Sequence, residues 1–79
     1  MDALKTAENR VVGTKQVLRA IKANTARCVY LANDCDTFIY QQVVRAAEDA
    51  HVKVVRVPTM KELGEAAGIE VATAAAARL

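Results

Sequence analysis

The pattern of apolar and polar positions predicts an amphipathic helix over residues 14–23. Gly13 interrupts the apolar pair before it, Thr14 is a possible N-cap, and Asn24 tolerates the left-handed conformation of a C-cap. The apolar residues Val17, Leu18 and Ile21 lie on one face of this helix. The basic residues Lys15, Arg19 and Lys22 lie on another. This arrangement suits a polyanion, although the same spacing is typical of an ordinary solvated helix.

Three more helices are predicted, one before this helix and two after it. Residues 2–9 form a short one. Residues 37–50 keep helical spacing, with an apolar face of Ile39, Val43, Ala46, Ala47 and Ala50 and a polar face of Gln41, Gln42, Arg45, Glu48 and Asp49. Thr59 and Glu62 form a capping box that opens a short helix through Ala67, and Gly68 is expected to adopt a positive φ.

Runs of β-branched and aromatic residues predict strands between these helices. Residues 27–32 indicate a buried strand, residues 52–57 a second strand that Pro58 ends, and Val11 and Val12 a very short one. Residues 71–79 are ambiguous, because alanine favours a helix whereas a small apolar strand is equally reasonable after two βα units. The alternating order indicates a three-layer α/β sandwich around a small mixed sheet.

Composition limits the class of protein. The 79 residues suffice for one domain, and 53% apolar with only 4% aromatic residues means a core of small aliphatic side chains. No run is long enough to cross a bilayer, and the N-terminus lacks the order of a signal peptide, so we expect a cytoplasmic protein without membrane contact. The net charge of +2 supports nucleic-acid binding only weakly, so charge placement must carry that argument.

Residues that usually hold metals or act as nucleophiles are few. Cys28 and Cys35 do not form a C-x-x-C pair, and the single histidine, His51, cannot complete a zinc site with them. We expect two free thiols, an unreactive Cys35 and a structural or solvated His51. The sequence has no Gly-rich phosphate loop and no nucleophile–base pair, so we expect no catalytic residues, metal, cofactor or small-molecule substrate.

Three segments taken together resemble a known family. They are residues 13–19 (GTKQVLR), 31–36 (LANDCD) and 61–71 (KELGEAAGIEV). The family is the kink-turn RNA-binding proteins of the ribosomal L7Ae and L30e type, and its short bacterial members look most similar. The resemblance covers nearly the whole chain. It implies a single-domain α/β/α sandwich over residues 1–79 with a mixed four-stranded sheet, in which the alanine-rich tail is a strand.

The resemblance also implies a binding site. Family members bind RNA at a sharp bend where two sheared G·A pairs follow a three-nucleotide bulge. The archaeal first motif, Gly-x-Asn-Glu-x-x-Lys, becomes Gly-x-Lys-Gln-x-x-Arg here, as in the L30e-type and bacterial branches, and Thr37 replaces the Pro that follows the second-motif acid. The implied RNA-binding residues are Gly13, Thr14, Lys15, Gln16, Arg19, Asp36, Tyr40, Lys61, Ile69, Glu70 and Val71.

The chemistry of these residue types fits a bent RNA. Lys15 can donate to guanine O6 or N7, Gln16 can both donate and accept, and Arg19 can hold a phosphate with its two-pronged guanidinium. N–H groups near Gly13 lie at the positive end of the helix. The resemblance brings Asp36 and Tyr40 near the flipped base or the guanine edge, Lys61 to a phosphate, and residues 69–71 onto the extruded nucleotide. Asp36 serves equally well as a helix cap, and Tyr40 as a residue at the sheet edge.

Two other function classes remain open. A small enzyme or enzyme subunit would use Asp34, Asp36 and Lys15, and a protein-interaction module would present the alanine-rich face to a partner. We expect instead a non-catalytic, ribosome-associated or ribosomal protein. It would act as a monomer and bind ribosomal RNA or another structured RNA that contains a kink-turn.

Overall fold

The computed structural model describes residues 9–79, so the predicted helix over residues 2–9 lies outside the described residues except for Asn9. The elements are β1 (Arg10–Val12), α1 (Thr14–Lys22), β2 (Cys28–Ala32), α2 (Thr37–Asp49), β3 (Lys53–Val57), α3 (Met60–Ala66) and β4 (Ala75–Arg78). All except β4 lie within a residue or two of their predicted limits, whereas β4 begins at Ala75, four residues after the start of the predicted tail segment at Val71. Within residues 9–79, none of the helices is long and apolar enough to cross a membrane.

The alanine-rich tail forms β4 in the interior of a four-stranded sheet. The strand order is β1-β4-β2-β3, with β4 antiparallel to both neighbours and β2 parallel to β3. Ala75, Ala76 and Ala77 are fully buried. Their small side chains allow helices to approach both faces of the sheet closely. The strand implied by the family resemblance is therefore confirmed, against the helical propensity of alanine.

The helices cover the two faces of the sheet and make two cores. α1 and α2 enclose one buried set, which is Val17, Ile21, Val29, Leu31, Cys35, Val43, Ala47, Ala75 and Ala77. α3 encloses the other, which is Cys28, Tyr30, Ala32, Val57, Leu63, Ala67 and Ala76. Successive residues of β2 alternate between the two cores, as in a strand that is buried on both sides. The predicted three-layer α/β/α architecture is confirmed.

Local signals place most helix ends correctly. The Thr59 hydroxyl accepts a hydrogen bond from Glu62 N at 3.1 Å and donates to the Glu62 carboxylate at 3.4 Å, so the Thr59 cap of the predicted capping box is present at the start of α3. Asn24 (φ 59°) and Gly68 (φ 78°) adopt the left-handed conformation after α1 and α3.

The prediction that Thr14 caps α1 is wrong. The N-cap is Gly13, and no side chain caps this helix. Gly13 N donates to Ala75 O at 2.9 Å, so pairing with β4 fixes the junction between β1 and α1. The resulting φ of 103° favours glycine, and Thr14 already lies inside the helix.

Strand directions bring the three βα turns to one edge of the sheet. β1, β2 and β3 all run in the direction opposite to β4, so they end at the edge of the sheet where β4 begins. The N-termini of α1, α2 and α3 therefore meet there with residues 68–74, the β4 loop. We call this the site edge. The opposite edge, where β1, β2 and β3 begin and β4 ends, is the far edge.

Candidate functional site

Backbone hydrogen bonds hold the start of α1 and the end of β2 on either side of β4. Gly13 N bonds to Ala75 O, as described above, and Ala32 N donates to Ala74 O at 2.9 Å. The N–H of Gly13 is therefore engaged inside the protein rather than directed at a ligand. Gly13 contributes through its backbone conformation, which starts the helix close against the sheet.

The first two turns of α1 present polar side chains to solvent. Lys15, Gln16 and Arg19 are exposed, whereas Val17 and Ile21 are buried against the sheet. Because Val17 and Ile21 fix the rotation of the helix, the three polar side chains are held on the outer side. The predicted separation of a basic and an apolar face is confirmed.

Two aspartates organise the turn between β2 and α2. Asp36 Oδ1 accepts hydrogen bonds from Phe38 N at 2.8 Å and Ile39 N at 3.3 Å, so Asp36 caps α2. Asp34 Oδ1 accepts from Met60 N at 2.8 Å and ties this turn to the first residue of α3. The cap leaves Asp36 exposed, with its second carboxylate oxygen outside these bonds.

Tyr40 is oriented by a residue that the sequence reasoning missed. Its hydroxyl accepts a hydrogen bond from Arg56 Nε on β3, and the guanidinium carbon of Arg56 lies 5.9 Å from the centre of its ring. Tyr40 and Arg56 are sixteen residues apart. No local pattern could have paired them, because their contact depends on α2 packing over β3.

The β4 loop is fastened at three points. Ile69 N donates to Gly64 O at 3.0 Å, Thr73 N donates to Met60 O at 3.1 Å, and Thr73 Oγ1 donates to Ala75 O at 3.0 Å. Between these points Val71 is 69% exposed. The loop therefore presents an apolar group to solvent from a fixed backbone.

The site edge collects predicted residues from four segments of the chain. They are Gly13, Thr14, Lys15 and Gln16 at the start of α1, Asp36 before α2, Lys61 on α3, and Ile69, Glu70 and Val71 in the β4 loop. Arg19 lies about one turn further along α1, and Tyr40 lies in the first turn of α2, both beside this group.

The charges of the site edge are mixed. Its exposed lysines are Lys15 and Lys61. Its exposed carboxylates are Asp34, Asp36, Glu62 and Glu70. Carboxylates among the lysines weaken attraction to an arbitrary polyanion. Such a surface suits a ligand that offers hydrogen-bond donors and acceptors at defined positions, because specificity then comes from the match of individual groups.

The thiol at this edge is poorly suited to nucleophilic chemistry. Burial raises the pKa of Cys35, and the neighbouring carboxylates of Asp34 and Asp36 raise it further. Its Sγ donates a weak hydrogen bond to the Asp36 carbonyl at 3.6 Å. Cys28 is also buried, and neither cysteine is in a disulfide. Among residues 9–79, no group of three or more His, Cys, Asp or Glu side chains is placed to hold a metal ion.

Comparison with known proteins gives a family match over the whole chain. The model of the Ribosomal protein L7Ae/L30e/S12e/Gadd45 family matches residues 1–79. An RNA-binding protein of Geobacillus sp. strain WCH70 is 46% identical over 71 residues, which are 90% of this chain and 87% of that protein. The RNA-binding protein YbxF of Geobacillus stearothermophilus is 46% identical over 69 residues, which are 87% of this chain and 84% of that protein.

A solved structure shares the fold. The 15.5 kD RNA-binding protein of Giardia lamblia superposes with a TM-score of 0.87 at 24% sequence identity. The match covers 98% of this chain but only 65% of the Giardia chain. At this identity the likeness concerns the arrangement of helices and strands.

Proposed function

Because the chain belongs to the Ribosomal protein L7Ae/L30e/S12e/Gadd45 family, we propose that it is a non-catalytic RNA-binding protein that recognises kink-turn RNA and stabilises its bent form. The observation that carries the proposal is the site edge, where polar side chains of α1 stand beside an exposed apolar loop on one rigid sheet. We further propose that residues 1–79 act as one domain, as a monomer, in the cytoplasm and in association with the ribosome.

The start of α1 supplies the groups that read the bases. In a kink-turn, the sheared G·A pairs expose purine edges with acceptors at guanine O6 and N7. Lys15 is an exposed donor, and Gln16 offers both a donor and an acceptor. The buried face of α1 fixes the backbone from which both side chains extend, so binding has to order these side chains but not the helix.

The β4 loop supplies apolar surface for the nucleotide that the bend extrudes. An unstacked base loses contacts with its neighbours, and an apolar side chain can replace part of them. Val71 is exposed and Ile69 is partly exposed, and both stand on backbone that is hydrogen-bonded to α3. The bound loop therefore needs no large rearrangement.

Phosphate contacts come from the flanks of the site edge. Arg19 on α1 and Lys61 on α3 are exposed, and the two helices pack on opposite faces of the sheet. Where the backbone bends, phosphates approach one another, and cations on both sides offset their repulsion. Asp36 caps α2 and can still accept a hydrogen bond from a base amino group through its second oxygen.

A gel shift with two RNAs tests the proposal. One RNA contains a kink-turn, and the other has its two G·A pairs replaced by Watson–Crick pairs. We expect the protein to prefer the first RNA. Lys15→Ala and Gln16→Ala should each cost about 1–3 kcal/mol on the kink-turn and reduce the preference, because a specific base contact is lost.

A matched control separates base reading from a general effect of the substitution. Gln42 is an exposed glutamine on the outer face of α2, so Gln42→Ala should leave both affinities unchanged. Equal affinity of the unmodified protein for the two RNAs would refute kink-turn recognition. Equal losses for both RNAs in Lys15→Ala and Gln16→Ala would remove these residues from base reading.

A further inference from the structure

Every strand of the sheet brings a cation to the far edge. Arg10 is the first residue of β1, Lys53 the first of β3 and Arg78 the last of β4, while Arg27 immediately precedes β2. Because the four strands all begin or end at this edge, the four cations gather at one side of the molecule. In the sequence they are spread over 69 positions and form no visible basic run.

The strand register sets the backbone positions of these cations in a row. Arg10, Lys53 and Arg78 lie on the sheet face of Cys28, and Arg27 lies one position before it, on the other face. Arg10 pairs with Arg78, and Arg27 N donates to Arg78 O at 2.7 Å. Cys28, the residue after Arg27, pairs with both Arg78 and Lys53. Following the strand order, the row crosses the whole sheet. With strands about 4.8 Å apart, it extends for roughly 15 Å.

The row itself contains no carboxylate, and Asp49, exposed at the end of α2, lies at its border beside Asn24 and Ala50. Arg27 and Lys53 are exposed, and Arg10 and Arg78 are partly exposed. Within the described chain, the segments that form the far edge (9–11, 23–28, 50–54 and 77–79) contain no Asp or Glu. The site edge, in contrast, mixes two lysines with four carboxylates. The described residues of the far edge therefore carry a net positive charge.

We propose that the far edge is a second RNA-binding surface, which holds the phosphate backbone of a double-stranded segment while the site edge remains free for another RNA segment. A row of about 15 Å faces several phosphates, since each strand of a duplex carries one charge per roughly 3.4 Å of axis. Three of the four cations are arginines, whose planar guanidinium groups match phosphate oxygens well.

Two features favour backbone contact without sequence reading. Among residues 9–79, the far edge has no exposed Phe, Tyr or Trp, so the imidazole of His51 is the one aromatic ring it offers to an unpaired base. The two edges are separated by the length of β2, a strand of five residues that spans roughly 17 Å. This exceeds the Debye length of about 8 Å at physiological salt, so two bound RNA segments would repel each other little.

Titration with a plain duplex tests the far edge without relying on kink-turn recognition. The probe is a 20-base-pair RNA duplex without bulges or G·A pairs, titrated with the full chain between 50 and 200 mM KCl. We expect weak, salt-dependent binding. The double variant Arg27→Gln/Lys53→Gln should flatten the slope of log K against log salt by about 2 and weaken binding at 50 mM by about tenfold or more.

Arg45→Gln is the matched control for the single variant Arg27→Gln, because Arg45 is an exposed arginine on α2 and the two substitutions change the net charge equally. It should leave duplex binding within about twofold. A capture experiment completes the test: kink-turn RNA is immobilised, and a fluorescent duplex should be retained only when the protein is present. The double variant should still bind the kink-turn RNA but retain little duplex.

Several results would overturn the proposal. These are no duplex binding at 50 mM KCl, an unchanged salt slope in the double variant, an equal loss in Arg45→Gln, or displacement of the duplex by poly-glutamate as effectively as by unlabelled duplex. The last result would indicate an acidic protein partner. Duplex binding that depends on Arg27 and Lys53 in a protein without kink-turn preference would support the far edge and refute only the proposed function.

Discussion

Gly64→Ala tests whether the β4 loop must lie where the structure places it. A Cβ atom on Gly64 would lie 2.1 Å from Val71 O, 3.1 Å from Val71 C and 3.2 Å from Ala72 Cα. These are backbone atoms, so no side chain can rotate away. Since ordinary contacts begin near 3.4 Å, the loop backbone would have to retreat by roughly 1 Å.

The expected cost combines two opposed effects. Alanine favours the interior of a helix over glycine by about 1 kcal/mol. Overpacking a well-packed site costs about 1–3 kcal/mol, and displacement also strains the hydrogen bond from Ile69 N to Gly64 O at 3.0 Å. We expect a net loss of about 1–2 kcal/mol in the free energy of unfolding. For a domain of this size, each kcal/mol corresponds to about 4–8 °C in Tm.

RNA binding should suffer in addition. A displaced loop would withdraw Ile69 and Val71 from the extruded nucleotide, and fully burying one such side chain contributes about 1.5–3 kcal/mol. We therefore expect kink-turn affinity to fall by about tenfold or more. The affinity for the Watson–Crick control RNA should change little, because without its G·A pairs that RNA does not adopt the bend that carries a nucleotide onto the loop.

Thermal unfolding followed by circular dichroism measures the stability, and a gel shift well below both values of Tm measures the affinity. Glu65→Ala is the control, because Glu65 is the next residue on α3 and is exposed. It should change stability by no more than about 0.5 kcal/mol and leave binding intact. A Gly64→Ala protein with full kink-turn affinity would show that the position of the loop does not matter for binding.

Three further predictions concern single contacts. Asp34→Ala should lower the free energy of unfolding by about 1–2 kcal/mol, because Met60 N loses its acceptor at 2.8 Å. Asp34→Asn keeps an acceptor oxygen and should retain most of this stability. Equal losses for the two variants in chemical denaturation would contradict this account. Val71→Glu should leave Tm unchanged, because the side chain is 69% exposed, but it should weaken kink-turn binding by placing a carboxylate against the RNA; unaltered affinity in a gel shift would remove Val71 from the interface. Burial and two carboxylates raise the pKa of Cys35, so its alkylation by iodoacetamide at pH 8 should be much slower in the folded protein than in denaturant. Peptide mass spectrometry measures the two rates, and equal rates would refute the claim that the fold protects this thiol.

Local interactions explain why so much of the secondary structure could be predicted from the sequence. The spacing of Val17 and Ile21 on α1 and the capping box of Thr59 and Glu62 depend on residues within four positions of each other. The left-handed turn at Asn24 depends on a single residue type. Such signals lie inside one short window of sequence.

The predictions that failed or were missing concern contacts between distant segments. Thr14 is not the cap of α1, because Gly13 is held by Ala75, sixty-two residues away. Arg56 was not suspected, because its contact with Tyr40 needs α2 to lie over β3. The capping role of Asp36 was one of two open alternatives, and the structure shows it directly.

The sequence by itself determined the α/β class, the limits of most helices and strands and, through resemblance, the family. The tertiary structure alone decided that the tail lies between β1 and β2, which brings α1, α3 and the β4 loop to one edge and four cations to the other. The physical reason is that strand pairing satisfies backbone groups along the whole length of a strand, and no short window of sequence contains both partners. In β4 this pairing on both sides outweighs the helical propensity of its alanines.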